Sequence, residues 1–327
     1  MTYSQVSGHQ GMVFDQRRNA AFARAIATHV KPDSVVLDLG AGLGLHGLLA
    51  ARAGAARVYL IEPAPVCELA REIAVANGLA ERMVFLQARA EEVDLPEKVD
   101  LILSVFTGNL LYSEDLLPTL FLARDRFLAE GGRLLPDCGE LWAVPLMDEQ
   151  LHAEHIACWS DPAQLQGLDF AAARRFAANE VQWLEGGTAR GQRLAEAQCL
   201  VSVDFTQGRD GDCDAEAELE ILQDGLCHGL LTWIRFRLGD AWLATDPQEP
   251  AMHWSNAVLP LDPPLPVTRG EVLKLRLRRP AGGDWTWRVS AQAGTRCHSS
   301  FLARLDNRQR LQATLATGPA RGDTTPA

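Results

Sequence analysis

The chain has 327 residues, 47% hydrophobic and 22% charged, which is ordinary for a globular protein and enough for about two domains with proper cores. Its formal charge of -11 and the lack of any Lys/Arg-rich run argue against a nucleic-acid partner, because such binding rests on cationic contacts to phosphate. No stretch approaches the ~18 apolar residues of a membrane span, and residues 1–5 have neither a basic start nor an apolar run, so a cytoplasmic protein without a membrane partner is expected.

The first thirty residues carry a helical pattern, with Met12, Phe14, Phe22, Ala25 and Ile26 apolar and Arg17, Arg18 and Arg24 between them, ending near Pro32. From there to about Pro136 strands alternate with helices. Strands are predicted at residues 35–39, 58–61, 83–87, 101–104 and 132–135, and helices at 45–53, 67–77 and 114–128. This alternation predicts an α/β unit, a parallel sheet covered by helices on both faces. After Pro136 the texture changes. A strand at 140–146 and an Ala-rich helical excursion at 151–176 precede short β runs at 199–205, 215–222, 229–237, 272–278 and 285–291, which suits an antiparallel barrel or sandwich. The expected division is N-terminal helices at 1–32, a nucleoside-binding domain at 33–138, a β-barrel-like domain at 139–310, and a disordered tail at 311–327. Seven scattered cysteines, odd in number and never in a C-x-x-C pair, read as free thiols. Cys227-His228 and Cys297-His298 are adjacent pairs rather than ligand spacings, so no metal site is expected.

The chemistry is concentrated where residues 36–44 read Val-Leu-Asp-Leu-Gly-Ala-Gly-Leu-Gly and a second apolar run, 58–61, stops on Glu62. Such a unit ends a strand in a glycine turn that lets backbone approach a ligand, and the acid after the second strand can hold two ribose hydroxyls. Two frames are available. Gly42-x-Gly44-x-x-Gly47 satisfies the dinucleotide pattern G-x-G-x-x-G, but it would bury Asp38 and Gly40 inside a strand. The frame Asp38-x-Gly40-x-Gly42-x-Gly44 instead leaves the Asp38 carboxylate free at the rim of the sheet.

That second frame resembles motif I of the class I S-adenosylmethionine (AdoMet) methyltransferases, and three further motifs are similar to the protein arginine methyltransferases. Tyr3-(x5)-His9-Gln10-Gly11-Met12-(x5)-Arg18 resembles the family's amino-terminal helix. The resemblance implies that Arg18 pairs with the AdoMet carboxylate while His9 and Met12 close over the cofactor. Asp38, Gly40, Gly42 and Glu62 then form the cofactor loop and ribose site, Ala90-Glu91 falls at the adenine pair, and Ser104 ends the strand beside them. His253-Trp254 matches the last two residues of the family's Thr-His-Trp loop, with Met252 in place of the threonine. The family further implies a Rossmann-like AdoMet domain, a β-barrel domain, and a helical dimerisation arm at about 151–176, hence a homodimer.

The departure lies in the acceptor loop. The family closes two glutamates, nine residues apart, on the substrate guanidinium; here the first is Val105 and only the second, Glu114, is kept. Two carboxylates hold a guanidinium by paired charge-assisted hydrogen bonds, so loss of one removes half of that grip. Asp115 is expected to point elsewhere on a helix. Either the acceptor is not arginine or another acid replaces the missing one. The resemblance implies a methyltransferase with Glu114 and His253 as catalytic residues, acting on a protein, peptide or small molecule. The alternative is an impaired AdoMet-binding module with a regulatory role.

Overall fold

A computed structural model describes residues 5–105, 108–185 and 191–305. Tyr3, Phe106, Thr107 and the tail expected to be disordered lie outside the described residues.

The amino-terminal pattern forms two helices, α1 (Val6–Val13) and α2 (Gln16–His29), rather than one continuous run. The break has a local cause. Asp15 caps α2, its Oδ1 accepting the Arg18 N–H at 2.9 Å, which satisfies one of the donors that a helix start leaves unpaired. Ala21, Phe22, Ala25 and Ile26 of α2 are buried, at helical spacing on one face.

The parallel sheet contains β1 (Val35–Leu39), β2 (Arg57–Ile61), β3 (Met83–Leu86), β4 (Val99–Ser104) and β5 (Leu128–Leu135), with α3 (Leu45–Arg52), α4 (Val66–Ala76) and α5 (Leu117–Phe127) between strands. Its order, β3-β2-β1-β4-β5, runs β2 and β3 to one side of β1 and then crosses back to place β4 and β5 on the other, so the carboxyl ends of β1 and β4 flank a crevice suited to a ligand. Val36, Leu37, Val58, Leu60, Ile102 and Leu103 have no more than 1% exposure; these are the continuous apolar runs of strands covered on both faces.

The carboxyl half holds two antiparallel sheets. One is built on β6 (Cys138–Met147), which is followed by α6 (Glu149–His155), α7 (Ala171–Ala177), β7 (Gln182–Leu184), β8 (Gln192–Arg193) and β9 (Gln198–Asp204). Then come β10 (Cys213–Glu220), β11 (Gly225–Leu238), β12 (Ala241–Ala244), β13 (Asn256–Val267), β14 (Val272–Arg279), β15 (Thr286–Ala291), β16 (Gly294–Ser299) and the short α8 (Ser300–Ala303). The larger sheet runs β7-β13-β11-β6-β8, with β9 on β6 and β12 on β11; the smaller runs β10-β14-β15-β16. Trp287, fully buried, joins them by donating its indole N–H to the Pro260 carbonyl at 2.7 Å.

β13 was not expected, because Pro260, Pro263, Pro264 and Pro266 interrupt it. β7 pairs only with residues 256–258, so within this sheet the proline-bearing part needs donors toward β11 alone, and a bulge there absorbs the misfit. The helical excursion is also less regular than expected. α6, a 3-10 turn at Ala157–Ser160 and α7 are separated by irregular chain that exposes Leu168 and Phe170.

Candidate active site

A cavity of about 420 Å³ opens at the carboxyl ends of the parallel strands, roofed by α1 and the start of α2. Four stretches far apart in sequence line it: His9, Met12 and Arg18; Asp38, Gly40 and Gly42 with His46; Glu62; and Val105 with Glu114. The loop after β1 is tied down by Gly40 and Ala41, whose N–H groups both donate to the Ile61 carbonyl, at 2.9 and 3.2 Å.

Glu62 is buried, and each carboxylate oxygen accepts one backbone N–H: Oε2 from Gly42 at 2.9 Å and Oε1 from Ala64 at 2.8 Å. A carboxylate has about four lone-pair sites, so the oriented group keeps capacity for two hydroxyl donors. Gly42 is at φ +55°, and a Cβ there would lie 2.8 Å from His9 Nδ1; neither the turn nor the close packing of α1 tolerates a side chain.

Asp38 is not free at the rim. It is the penultimate residue of β1, is 3% exposed, and its Oδ2 accepts the Gly47 N–H at 2.7 Å. A Cβ at Gly47 would lie 3.0 Å from that oxygen, so the glycine that completed the dinucleotide pattern leaves room for Asp38 instead. Burial pushes the Asp38 carboxyl up to about 7 and Glu62 adds to the rise, against the opposing pull of the Gly47 N–H and Arg18.

Arg18 is 4% exposed. Its Nε donates to Asn19 Oδ1 at 3.0 Å, while Asn19 in turn donates to the Met12 and Val13 carbonyls; this fixes the guanidinium between the two amino-terminal helices. Burial lowers its pKa to about 10, so it remains a cation at neutral pH, and Nη1 is buried with no hydrogen-bond partner among the described residues.

Behind Arg18 lies a pair that the sequence reading missed. Asp15 Oδ2 accepts both the His253 backbone N–H, at 2.9 Å, and its ring Nδ1–H, at 2.8 Å. The Asp15 carboxyl is brought down to about 2: burial would raise it, but the bonds from His253 and Arg18 more than offset that. His253 moves below the usual imidazole range because burial, helped by the Arg18 charge, outweighs the pull of Asp15. At pH 7 the pair is therefore a neutral imidazole whose N–H donates to a carboxylate, not an ion pair. An acid immediately before a helical run is an N-cap signal, and it could have singled out Asp15.

Glu114 is exposed at the mouth of the cavity and does not start a helix, since α5 begins at Leu117. The chain around it turns tightly, with Leu110 and Leu111 before it and Asp115 after it at positive φ, and a Cβ on Gly108 would lie 2.9 Å from Glu114 Oε1. Asp115 points away, as expected, but not from a helix: it forms a two-pronged pair with Arg279, both contacts at 2.7 Å, and is unavailable to the cavity. Val105 packs against the core beside this end.

The other sequence-predicted residues lie outside the cavity lining. Ala90 is buried in a 3-10 turn after β3, and Glu91 is exposed, accepting the Thr119 hydroxyl at 2.8 Å. Ser104 is buried at the end of β4 opposite Leu39, and His253 reaches the site through Asp15. Among the described residues, no three His, Cys, Asp or Glu side chains are placed to hold a metal ion, and no helix is long and apolar enough to cross a membrane.

Residues 36–132 match a family model described as a methyltransferase domain, and residues 137–284 one described as an arginine methyltransferase oligomerization subdomain. Histone-arginine methyltransferase CARMER of Drosophila persimilis is 31% identical over 321 residues, covering 93% of this chain and 60% of the relative. The same-named protein of Anopheles gambiae is 29% identical over 342 residues, with 99% and 55% covered. The chain thus spans 60% or less of the length of these two relatives. Among solved structures, the Trypanosoma brucei PRMT1 enzyme-prozyme heterotetrameric complex with AdoHcy superposes with a TM-score of 0.82 at 27% identity, covering 91% of this chain and 99% of that one. Arabidopsis thaliana protein arginine methyltransferase 10, with a TM-score of 0.78 at 21% identity, shares the fold, with 91% and 99% covered. With both halves matched in order and the same architecture in the solved structures, the chain is similar along most of its length to the protein arginine methyltransferases.

Proposed function

We propose that this chain is an AdoMet-dependent methyltransferase that transfers a methyl group to a nitrogen or other nucleophile of a protein, peptide or small molecule. The observation that carries the reading is the convergence of Arg18, Asp38 and Glu62, from three separate segments, on one cavity. The residues fit the cofactor: Arg18 Nη1 is a buried donor without a partner among the described residues, and Gly42 leaves a cradle bounded by His9. When bound, AdoMet supplies an electrophilic methyl group on its sulfonium.

In this reading Glu62 holds the ribose hydroxyls, Arg18 the carboxylate, and Asp38 with the Gly40 and Gly42 backbone the cationic end. His9 and Met12 cover the site. The turn at Ala90 and Glu91 takes the adenine, being at the next strand end beyond Glu62, and Ser104 shapes the floor. Glu114 orients the acceptor at the cavity mouth, and His253 with Asp15 keeps α2 and the β domain in register around it. Catalysis then rests on positioning and on excluding water. The arm at 151–176, with Leu168 and Phe170 exposed, pairs with a second copy in a homodimer, a reading supported by the oligomerization subdomain match. The free thiols accord with a cytoplasmic setting.

Calorimetry tests the cofactor assignment. AdoMet or S-adenosylhomocysteine (AdoHcy) should bind at micromolar affinity or tighter with no comparable binding of NAD, and Glu62→Ala should weaken binding by at least about tenfold, about 1.4 kcal/mol. Equal affinity for NAD, or an unaffected Glu62→Ala, would remove the assignment. Incubation with radiolabelled AdoMet and size-separated lysate fractions would then identify the acceptor class. Val105 favours a second reading, an impaired AdoMet-binding partner within an oligomer, and that outcome would leave every fraction unlabelled.

A further inference from the structure

We infer that His46 is a second anchor for the carboxylate of the cofactor's amino-acid arm, forming with Arg18 a two-point clamp on that group. The inference rests on the reading that AdoMet occupies the cavity.

His46 is the second residue of α3, 5% exposed, and lines the cavity. Its ring stacks on Phe22 with centroids 4.3 Å apart and planes 18° apart, so its orientation is fixed by packing. Phe22 lies one turn beyond Arg18 on α2, hence the residue that holds the imidazole and the guanidinium share a helix face. Two buried polar atoms of these cavity-lining residues have no hydrogen-bond partner among the described residues: Arg18 Nη1 and His46 Nε2. Leaving such atoms unpaired is costly, and native sites that do so normally have a ligand to satisfy them.

One chemical group meets both. A carboxylate has two oxygens, one for each nitrogen, and a single negative charge to match the single positive charge of Arg18. The imidazole acts as a neutral donor in its Nε2–H tautomer, because burial and the neighbouring Arg18 push its pKa down to about 3. The same cavity also carries Asp38 and Glu62, which favour an ammonium group. The two kinds of charge together suit a zwitterionic amino-acid group. The ligand selected is therefore a nucleoside that carries an intact amino-acid arm.

Equilibrium binding to the full chain, using AdoHcy and 5′-methylthioadenosine, separates this role from packing. The second probe keeps the nucleoside and thioether but lacks the amino-acid arm. His46→Leu should weaken AdoHcy by about tenfold and methylthioadenosine by less than about twofold. His46→Gln, whose amide nitrogen reaches the Nε2 position, should recover most of the AdoHcy loss. If His46→Leu is too unstable to assay, His46→Asn, which withdraws the nitrogen from that position, has the same expected outcome. Equal losses for both ligands, or an unchanged AdoHcy affinity, would overturn the clamp while leaving the AdoMet reading intact. Failure of the wild-type chain to bind AdoHcy would overturn both.

Discussion

Asp15 and His253, 238 positions apart, are joined by two hydrogen bonds to one carboxylate oxygen, at 2.8 and 2.9 Å. The other oxygen of Asp15 caps α2. One side chain thus starts the second helix, sets the backbone that carries Arg18, and ties both to the β domain.

Stability should show that link. The Asp15 carboxyl is brought from 3.8 to about 2 in the folded chain, so its contribution is fully present above the unfolded value and lost as pH falls through about 2. Asp15→Asn retains a good helix cap but loses the charge, and is expected to cost about 2 kcal/mol at pH 7 by urea denaturation. The deficit should narrow steadily below pH 4. A deficit independent of pH would show that geometry, not ionisation, is what Asp15 supplies.

Asp38 has the opposite sign. Its folded value near 7 exceeds the unfolded 3.8, so the unliganded protein loses stability as pH rises between these values and loses no more above 7. A cationic ligand favours the ionised carboxylate. AdoMet affinity should therefore increase with pH up to about 7, by at most about tenfold per pH unit, with proton release detectable calorimetrically in buffers of different ionisation enthalpy. Asp38→Asn should flatten the profile; a wild-type profile already flat between pH 5.5 and 7.5 would contradict the shifted titration.

Asp262 links the arm to the β domain, accepting Arg174 Nε at 2.9 Å, Arg174 Nη2 at 2.7 Å and His152 Nε2 at 3.2 Å. Light scattering at micromolar concentration should report a dimer for the wild-type chain and a monomer with weakened cofactor binding when residues 151–176 are removed. Arg174→Ala is expected to lie between them, with a raised dissociation constant. A monomeric wild type would refute the dimer assignment.

Val105 lies in the cavity wall beside Glu114, and Asp115 is already engaged with Arg279, so the adjacent acid does not replace the family's first glutamate. Wild type should methylate arginine-rich peptides poorly. Val105→Glu should raise that rate by less than the ~10²-fold of one charge-assisted contact, because Asn109 and its neighbours also differ from the family loop. Turnover of about 1 s⁻¹ or more by the wild type on arginine peptides would show that Val105 is no handicap.

Legibility in the sequence followed the range of the interactions. β1, β2 and β4 were readable because a strand covered on both faces needs an unbroken apolar run, and Glu62 was readable because that run stops where the strand reaches the ligand side. Gly42 was marked by its turn. β13 was hidden by its four prolines, which only the limited reach of β7 along the sheet makes tolerable.

Sequence alone determined the order of the two halves, the glycine loop after β1 and the replacement of an acid by Val105, since each is written in local spacing. Tertiary structure decided what the buried polar groups do. Asp38 was expected free and is held by Gly47; Asp115 was placed on a helix and is engaged by Arg279 in a turn; Asp15 and His46 drew no notice until α2 was packed against His253 and α3. A buried polar atom takes its role from whichever partner packing brings within hydrogen-bond reach, and no local pattern encodes a partner more than two hundred residues away.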